Sequence, residues 1–303
     1  MTDISTSDID GISPGKRWRD FARRTPLLRL PIFFVLLLAG DVAAQLCRIW
    51  TVRHTKGYGV DVVPLAAVVL LAAALLGIYA GLVRWLECRT VRELTPRPAH
   101  AVGGILLGLA LFSSVFLMLH AVGVARWLGV APHFDVIPIL AASILAAAGE
   151  ELAFRGGVFR ILEEAFGTAV ALAVSAVLFG LVHALNPGAT VVSTAAIALE
   201  AGVLLGAAYA ATRNLWFPIG LHLGWNFTEG GIFGVAVSGG SIGKGIFTVS
   251  LTGPTLLTGG KFGPEASVMA IAACLAVAVL LLLLTVRVGR WTPMRLRAAR
   301  PSA

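Results

Sequence analysis

Glu150 and Glu151 close a run without charge from Ile137 to Gly149, and Arg155 follows four residues after the second carboxylate. Farther along, other apolar segments carry His183, His222 and Asn226. A carboxylate held in hydrocarbon costs roughly 2.5–3.5 kcal/mol on insertion scales, so a chain that keeps one there uses it. Carboxylates, imidazoles and a side-chain amide are the groups that activate a water and stabilise an oxyanion. The chemistry they suggest is hydrolysis of a carbonyl compound.

The elements that must position these side chains are membrane helices. The chain is 57% hydrophobic and 13% charged, with a mean hydropathy of +0.87. Soluble domains carry about 25% charged residues, so this composition describes an integral membrane protein. Spans of about 20 residues are expected near 29–47, 62–83, 100–124, 136–157, 168–186, 191–212, 215–237 and 266–286. The expected fold is all-α and polytopic, with about eight transmembrane helices. The first span is diluted by Asp41 and Gln45, and a retained helix is expected there rather than a cleaved signal peptide.

Gly167 lies seventeen residues after Glu150 and sixteen before His183. If the chain is helical on both sides and turns at Gly167, an antiparallel hairpin sets Glu150 and His183 level, about 25 Å from the turn. The Gly156-Gly157 pair is expected to bend or loosen the first arm. Pro218 stands near the start of the next helix that matters, where proline is tolerated. Four-residue spacing puts His222 and Asn226 on one face of it, Phe179 and His183 on one face of another, and Glu151 beside Arg155. Glu150 is rotated by roughly 100° from Glu151, so the two carboxylates take different partners. Arg155 is expected to hold Glu151 ionised, while Glu150 faces His183 and a water.

Two mechanisms fit these groups. In one, Glu150 with His183 deprotonates the water, and His222 and Asn226 donate to the oxyanion. In the other, Glu150, His183 and His222 bind a divalent metal such as zinc, which activates the water. Sequence leaves both open.

The strings E-E-x-x-x-R (Glu150, Glu151, Arg155), F-x-x-x-H (Phe179, His183) and H-x-x-x-N (His222, Asn226) resemble the three motifs of the CAAX-protease and bacteriocin-processing (CPBP, or Abi) family. That family includes the endoplasmic-reticulum CAAX prenyl endopeptidase. Each string alone is common, but three in order, each on an expected membrane helix, are specific together. The resemblance covers about residues 135–230. It implies an intramembrane endopeptidase with a site open to the cytoplasm. It gives water activation to Glu150 and His183, oxyanion or metal contacts to His222 and Asn226, and support to Glu151 and Arg155. The substrate does not carry over with the resemblance; for a bacterial source a peptide or membrane protein is expected rather than a prenylated tail. No H-E-x-x-H zinc motif and no G-x-G-D aspartyl motif occurs. The rival classes are a non-catalytic immunity or binding protein of the same fold, and a transporter, against which the lack of inverted repeats counts.

The net charge of +8 does not indicate nucleic acid, because the basic residues follow membrane topology. Arg17, Arg19, Arg23, Arg24 and Arg29 precede the first span, Arg84, Arg89, Arg92 and Arg97 follow the second, and Arg287, Arg290, Arg295, Arg297 and Arg300 follow the last. Both termini are then cytoplasmic, with Arg48, Arg53 and Lys56 of the first outside loop as the main exception. Arginine outnumbers lysine twenty to four, a bias of GC-rich bacterial genomes that decides nothing by itself, and the expected location is a bacterial inner or plasma membrane. The expected divisions are a polar arm at 1–28, three helices over 29–134, the motif-bearing core over 135–230, and a Gly/Thr-rich outside loop, last helix and basic tail over 231–303. Cys47, Cys88 and Cys274 form no paired motif. His120 and Asp41 read as structural, Glu200 as either a supporting or a pairing residue, and Trp216, Trp225 and Trp291 as interfacial or packing residues. Oligomeric state is not legible.

Overall fold

Long apolar stretches in low dielectric satisfy their backbone groups only as helices, and the chain obeys that constraint throughout. A computed structural model describes residues 25–55, 62–241 and 243–294. In chain order the main helices are α1 (Pro26–Thr55), α2 (Val62–Leu86), α3 (Pro98–Ala121), α4 (Val136–Phe166), α5 (Thr168–His183), α6 (Val191–Thr212), α7 (Trp216–Asn226, continued by a wider turn over Phe227–Ile232) and α8 (Val268–Arg287). Every expected span coincides with one of them. Six of the helices are long and apolar enough to cross a bilayer, and α5 is a shorter apolar helix. Most of the expected N-terminal arm and basic tail lie outside the described residues.

The sequence reading needs two corrections. Arg48 and Arg53 lie within α1 rather than in a loop, because α1 runs for 30 residues. At 1.5 Å per residue that is about 45 Å, longer than the roughly 30 Å hydrocarbon core. The all-α description also gains a small exception. In the stretch expected to be loop, Phe247–Leu251 forms β2, paired antiparallel with β1 (Ala125–Val130). The segment F-T-V-S-L alternates apolar and polar residues, the period-2 pattern of a strand, and Phe247 packs 4.1 Å from the Trp127 ring. Gly259, Gly260 and Gly263 adopt φ of +72°, +65° and +123° in the turn that enters α8, where Ser267 caps the helix by accepting from Ala270 N.

The closest helix pair is α3 with α7. A Cβ added to Gly104 or Gly108 would stand 2.2 or 2.3 Å from the carbonyl oxygens of Phe217 and Leu221. One added to Gly220 or Gly224 would stand 2.3 Å from those of Ala101 and Ile105. Two interlocked small-x-x-x-small faces thus bring the backbones together, the favoured way to pack helices where lipid removes the hydrophobic drive. The start of α7 is pinned as well, by Asn214 Nδ2 donating to Thr95 O at 2.9 Å and Leu215 N to Glu93 O at 2.8 Å.

The two ends of the bundle differ in chemistry. At one end Arg29 pairs with Glu87 and Glu164, Arg160 with Glu87, and Arg213 with Glu163. Thr168 N also bonds Thr292 O there, so this end holds the first described residues, the Gly167 turn and the segment after α8. The other end holds the β1–β2 pair and the loops around Asn186, Ser238 and Phe262.

Candidate active site

The site forms where three helices leave regular α geometry. Helix α4 widens to a π-helix over Leu152–Phe159, just after the two glutamates, and α6 does so over Ala198–Gly202. The third wide segment, Phe227–Ile232, follows Asn226 directly. A π-turn shifts the backbone hydrogen bonds and frees carbonyl groups, a feature concentrated at functional sites. Two such carbonyls, of Ala201 and Gly202, accept from Arg155 Nη2 at 3.0 and 3.1 Å. Arg155 Nη1 reaches Glu151 Oε1 at 2.9 Å, and both side chains are fully buried. The Arg155 guanidinium carbon lies 4.5 Å from the Phe179 ring centroid, a cation–π contact that gives the phenylalanine of F-x-x-x-H a physical role.

The hairpin turns at Gly167, with φ +88°, and its arms bring Glu150 and His183 together. His183 Nε2 stands 3.7 Å from Glu150 Oε2. The other ring nitrogen, Nδ1, bonds Phe179 O at 2.8 Å. A carbonyl only accepts, so Nδ1 carries the hydrogen and Nε2 is the ring atom turned toward Glu150. Glu150 Oε2 accepts no hydrogen bond from any described residue.

From the other side, His222 Nδ1 lies 3.1 Å from Glu151 Oε1. Glu151 therefore serves two partners, Arg155 and His222, whereas sequence reasoning gave it only the arginine. That bond leaves the Nε2 edge of His222 for the cleft, which Asn226 also lines beside Glu150 and His183. All six sequence-derived residues thus belong to one constellation, Glu151 and Arg155 behind it and the other four on its wall. Counted out into open solvent, the cleft spans about 640 Å³.

Sequence reasoning set Asp41 aside as structural, yet it belongs to this cluster. It is buried, and a Cβ on Gly149 would stand 2.0 Å from its Oδ1. The charges of Glu150 and His222 both act on it. Its rank as an intramembrane carboxylate was the signal available in the sequence. Gln45 and Arg48, one and two turns further along α1, line the cleft with Asn186 and Ser238. No spacing rule links α1 to the motifs, so their presence was not legible. Glu200 accepts from Cys274 Sγ at 3.3 Å and lines an adjoining apolar pocket with Glu265 and Trp225. His120 lies apart and bonds Ala125 O. Trp216 donates to Leu94 O as a packing residue.

The donors expected to hold a metal are spread along the cleft. Among the described residues, no group of three His, Cys, Asp or Glu side chains is disposed to share a cation. With Nδ1 of His183 and of His222 engaged as described, Nε2 is the ring atom that each histidine keeps for a ligand.

Of the residues that line the cleft, Arg48, Asn186, Ser238 and Gly240 belong to the end of the bundle with the β1–β2 pair. Pro26 and Arg287 lie at the opposite end. If both termini are cytoplasmic, these lining residues stand toward the opposite side, whereas the family resemblance implies a site open to the cytoplasm. The conflict arises because charge counting located the termini and family resemblance located the site, and neither fixed which half of each helix carries it.

No curated protein and no solved structure matches the chain. A family model does, over residues 131–228, described as type II CAAX prenyl endopeptidase Rce1-like. That segment contains Glu150, Glu151, Arg155, Phe179, His183, His222 and Asn226, so the constellation built above stands within the stretch of this multi-pass integral membrane protein that is similar to the Rce1-like family.

Proposed function

We propose that the chain is an intramembrane endopeptidase of glutamic type, acting on peptides or membrane proteins. The observation that carries this reading is the Glu150–His183 pair, 3.7 Å apart on the wall of the cleft, with one glutamate oxygen unengaged by protein. Glu150 takes a proton from a water whose oxygen attacks the peptide carbonyl. The carbonyl π electrons move onto oxygen, and the amide of Asn226 with the cleft edge of His222 stabilises that oxyanion. Collapse breaks the C–N bond, and the proton held by Glu150 passes to the leaving amine, directly or through His183. Glu151 and Arg155 touch neither water nor substrate in this scheme; they hold His222 and the π-turn in register.

The metal-free version is preferred because, among the described residues, no three candidate ligands are grouped to share a cation. The basic residues favour a cytoplasmic location for the termini. Arg29, Arg84, Arg89, Arg92, Arg97, Arg160, Arg213, Arg287 and Arg290 belong to that end, against Arg48, Arg53, Arg126, Lys244 and Lys261 at the other. The cleft then receives its substrate from the extracytoplasmic side.

The decisive assay is cleavage of a broad peptide library by purified protein in detergent, with Glu150→Ala and His183→Ala as controls. Activity lost in both variants, with folding intact, supports the proposal. A wild-type protein that cleaves nothing, or variants that cleave equally well, overturns it. Labelling single cysteines placed at Ser238 and at Arg290 with an impermeant thiol reagent on intact cells tests the side, and only Ser238→Cys should react.

A further inference from the structure

Arg48 is one of the cations that the topological argument leaves unexplained, and it lines the cleft. Helix α1 presents Asp41, Gln45 and Arg48 at spacings of four and three residues, which places them on one face. The first packs on Gly149 beside Glu150, and the other two line the cleft. Arg48 Nε donates to Gln45 Oε1 at 3.0 Å. That bond engages one of five N–H donors and leaves both terminal nitrogens. Among the described residues, no carboxylate lies in ion-pair range of Arg48. The other clustered arginines of the molecule are paired: Arg29, Arg89, Arg155, Arg160 and Arg213 each meet a glutamate. A planar fork with free terminal donors matches a carboxylate in two-point geometry.

We propose that Arg48 is a substrate-binding residue that takes a carboxylate of the peptide, either its C-terminal group or an Asp or Glu side chain. The inference rests on the protease reading and names a specificity determinant for that site. Seven helical residues separate Arg48 from Asp41, which is level with Gly149; at 1.5 Å per residue this is about 10 Å. An extended peptide covers about 3.3 Å per residue, so the bound carboxylate stands about three residues from the scissile bond. Gln45 orients the fork by holding Nε, and Glu150 acts at the other end of the same trench.

The test compares peptides in matched pairs. One pair differs in a C-terminal acid or amide, and the other in Glu or Gln placed three residues from the cleaved bond with the C-terminus amidated. The wild type should prefer at least one acid over its neutral mate by about tenfold or more in kcat/KM, as expected for a hydrogen-bonded ion pair. The pair that shows the preference identifies the source of the carboxylate. In Arg48→Gln the preference ratio should fall to about one, chiefly through KM, and Arg48→Lys should restore part of it. A ratio that survives Arg48→Gln, including a loss of rate shared equally by acid and amide, overturns the proposal and leaves Arg48 an interfacial residue. Binding of fluorescent versions of the same peptides to Glu150→Gln protein, with and without Arg48→Gln, gives the same ratio without turnover. Should the wild type cleave nothing, the protease reading fails on its own, while equal binding of acid and amide to the Glu150→Gln protein refutes the role of Arg48.

Discussion

Replacing each of the adjacent glutamates by glutamine removes one negative charge at nearly constant shape, and the two changes should fail in different ways. The Glu150 carboxylate lines the cleft with its side chain 22% exposed and one oxygen free of protein partners. Glu150→Gln should therefore alter stability by less than about 0.5 kcal/mol, as for a site without structural bonds. It removes the proton acceptor, an effect of about 10²–10⁴ in rate, or roughly 3–5 kcal/mol of transition-state free energy. Glu151 is fully buried against Arg155, whose other described acceptors are two carbonyls. Glu151→Gln strands that guanidinium without a counter-charge, a change that costs about 3–5 kcal/mol in buried pairs. For a chain of this size the melting point should drop by roughly 6–20 °C. Glu151→Gln combined with Arg155→Met removes both charges and should recover most of the stability. Activity should stay low in that double variant, because His222 then rests on a neutral amide oxygen in place of the Glu151 carboxylate and the Arg155 hold on the π-turn is gone. The assays are peptide cleavage and thermal unfolding at a fixed scan rate in one detergent. Equal losses of both activity and stability in the two single variants would refute the division of labour, as would Glu150→Gln retaining more than about a tenth of wild-type activity.

Gly149→Ala should abolish activity and destabilise, since the new Cβ meets the Asp41 carboxylate at 2.0 Å; intact turnover would show that α1 does not press on the site. Gly108→Leu should separate α3 from α7 and displace His222, read as a loss of both helix packing and cleavage. Activity should survive chelation by EDTA, and a stoichiometric metal that disappears in His222→Ala would refute the metal-free mechanism. At the ion-paired end, burial acts to raise the Glu93 pKa, but hydrogen bonds from Arg89 and Tyr79 outweigh it and hold it below the ordinary carboxylate value. A depressed folded-state pKa stabilises above the unfolded value, near 4.3, and that stability is lost as pH falls through the lower folded value. Glu93→Gln should flatten this acid limb of the melting curve, and an unchanged limb would remove Glu93 from the account.

The sequence by itself determined the class of the molecule and the members of its reactive set. Apolar runs of spanning length admit only helices in lipid, so the helices were legible from composition and periodicity. The four-residue spacings of Glu151 with Arg155, Phe179 with His183, and His222 with Asn226 are local helical facts, and so is the hairpin symmetry of Glu150 and His183 about Gly167. The tertiary structure decided what no local period encodes. It placed Asp41, Gln45 and Arg48 at the site, because α1 meets α4 through a packing contact at Gly149 rather than through sequence proximity. It gave Glu151 a second partner in His222 across 71 residues of chain. The π-turns depend on the same neighbours, since the carbonyls they free are satisfied by Arg155 from another helix. Arg48, Asn186, Ser238 and Gly240 of the cleft wall lie toward the end away from Pro26 and Arg287 for a similar reason. Charge counting orients helices in a bilayer, but only their mutual packing decides at which end a cavity is left between them.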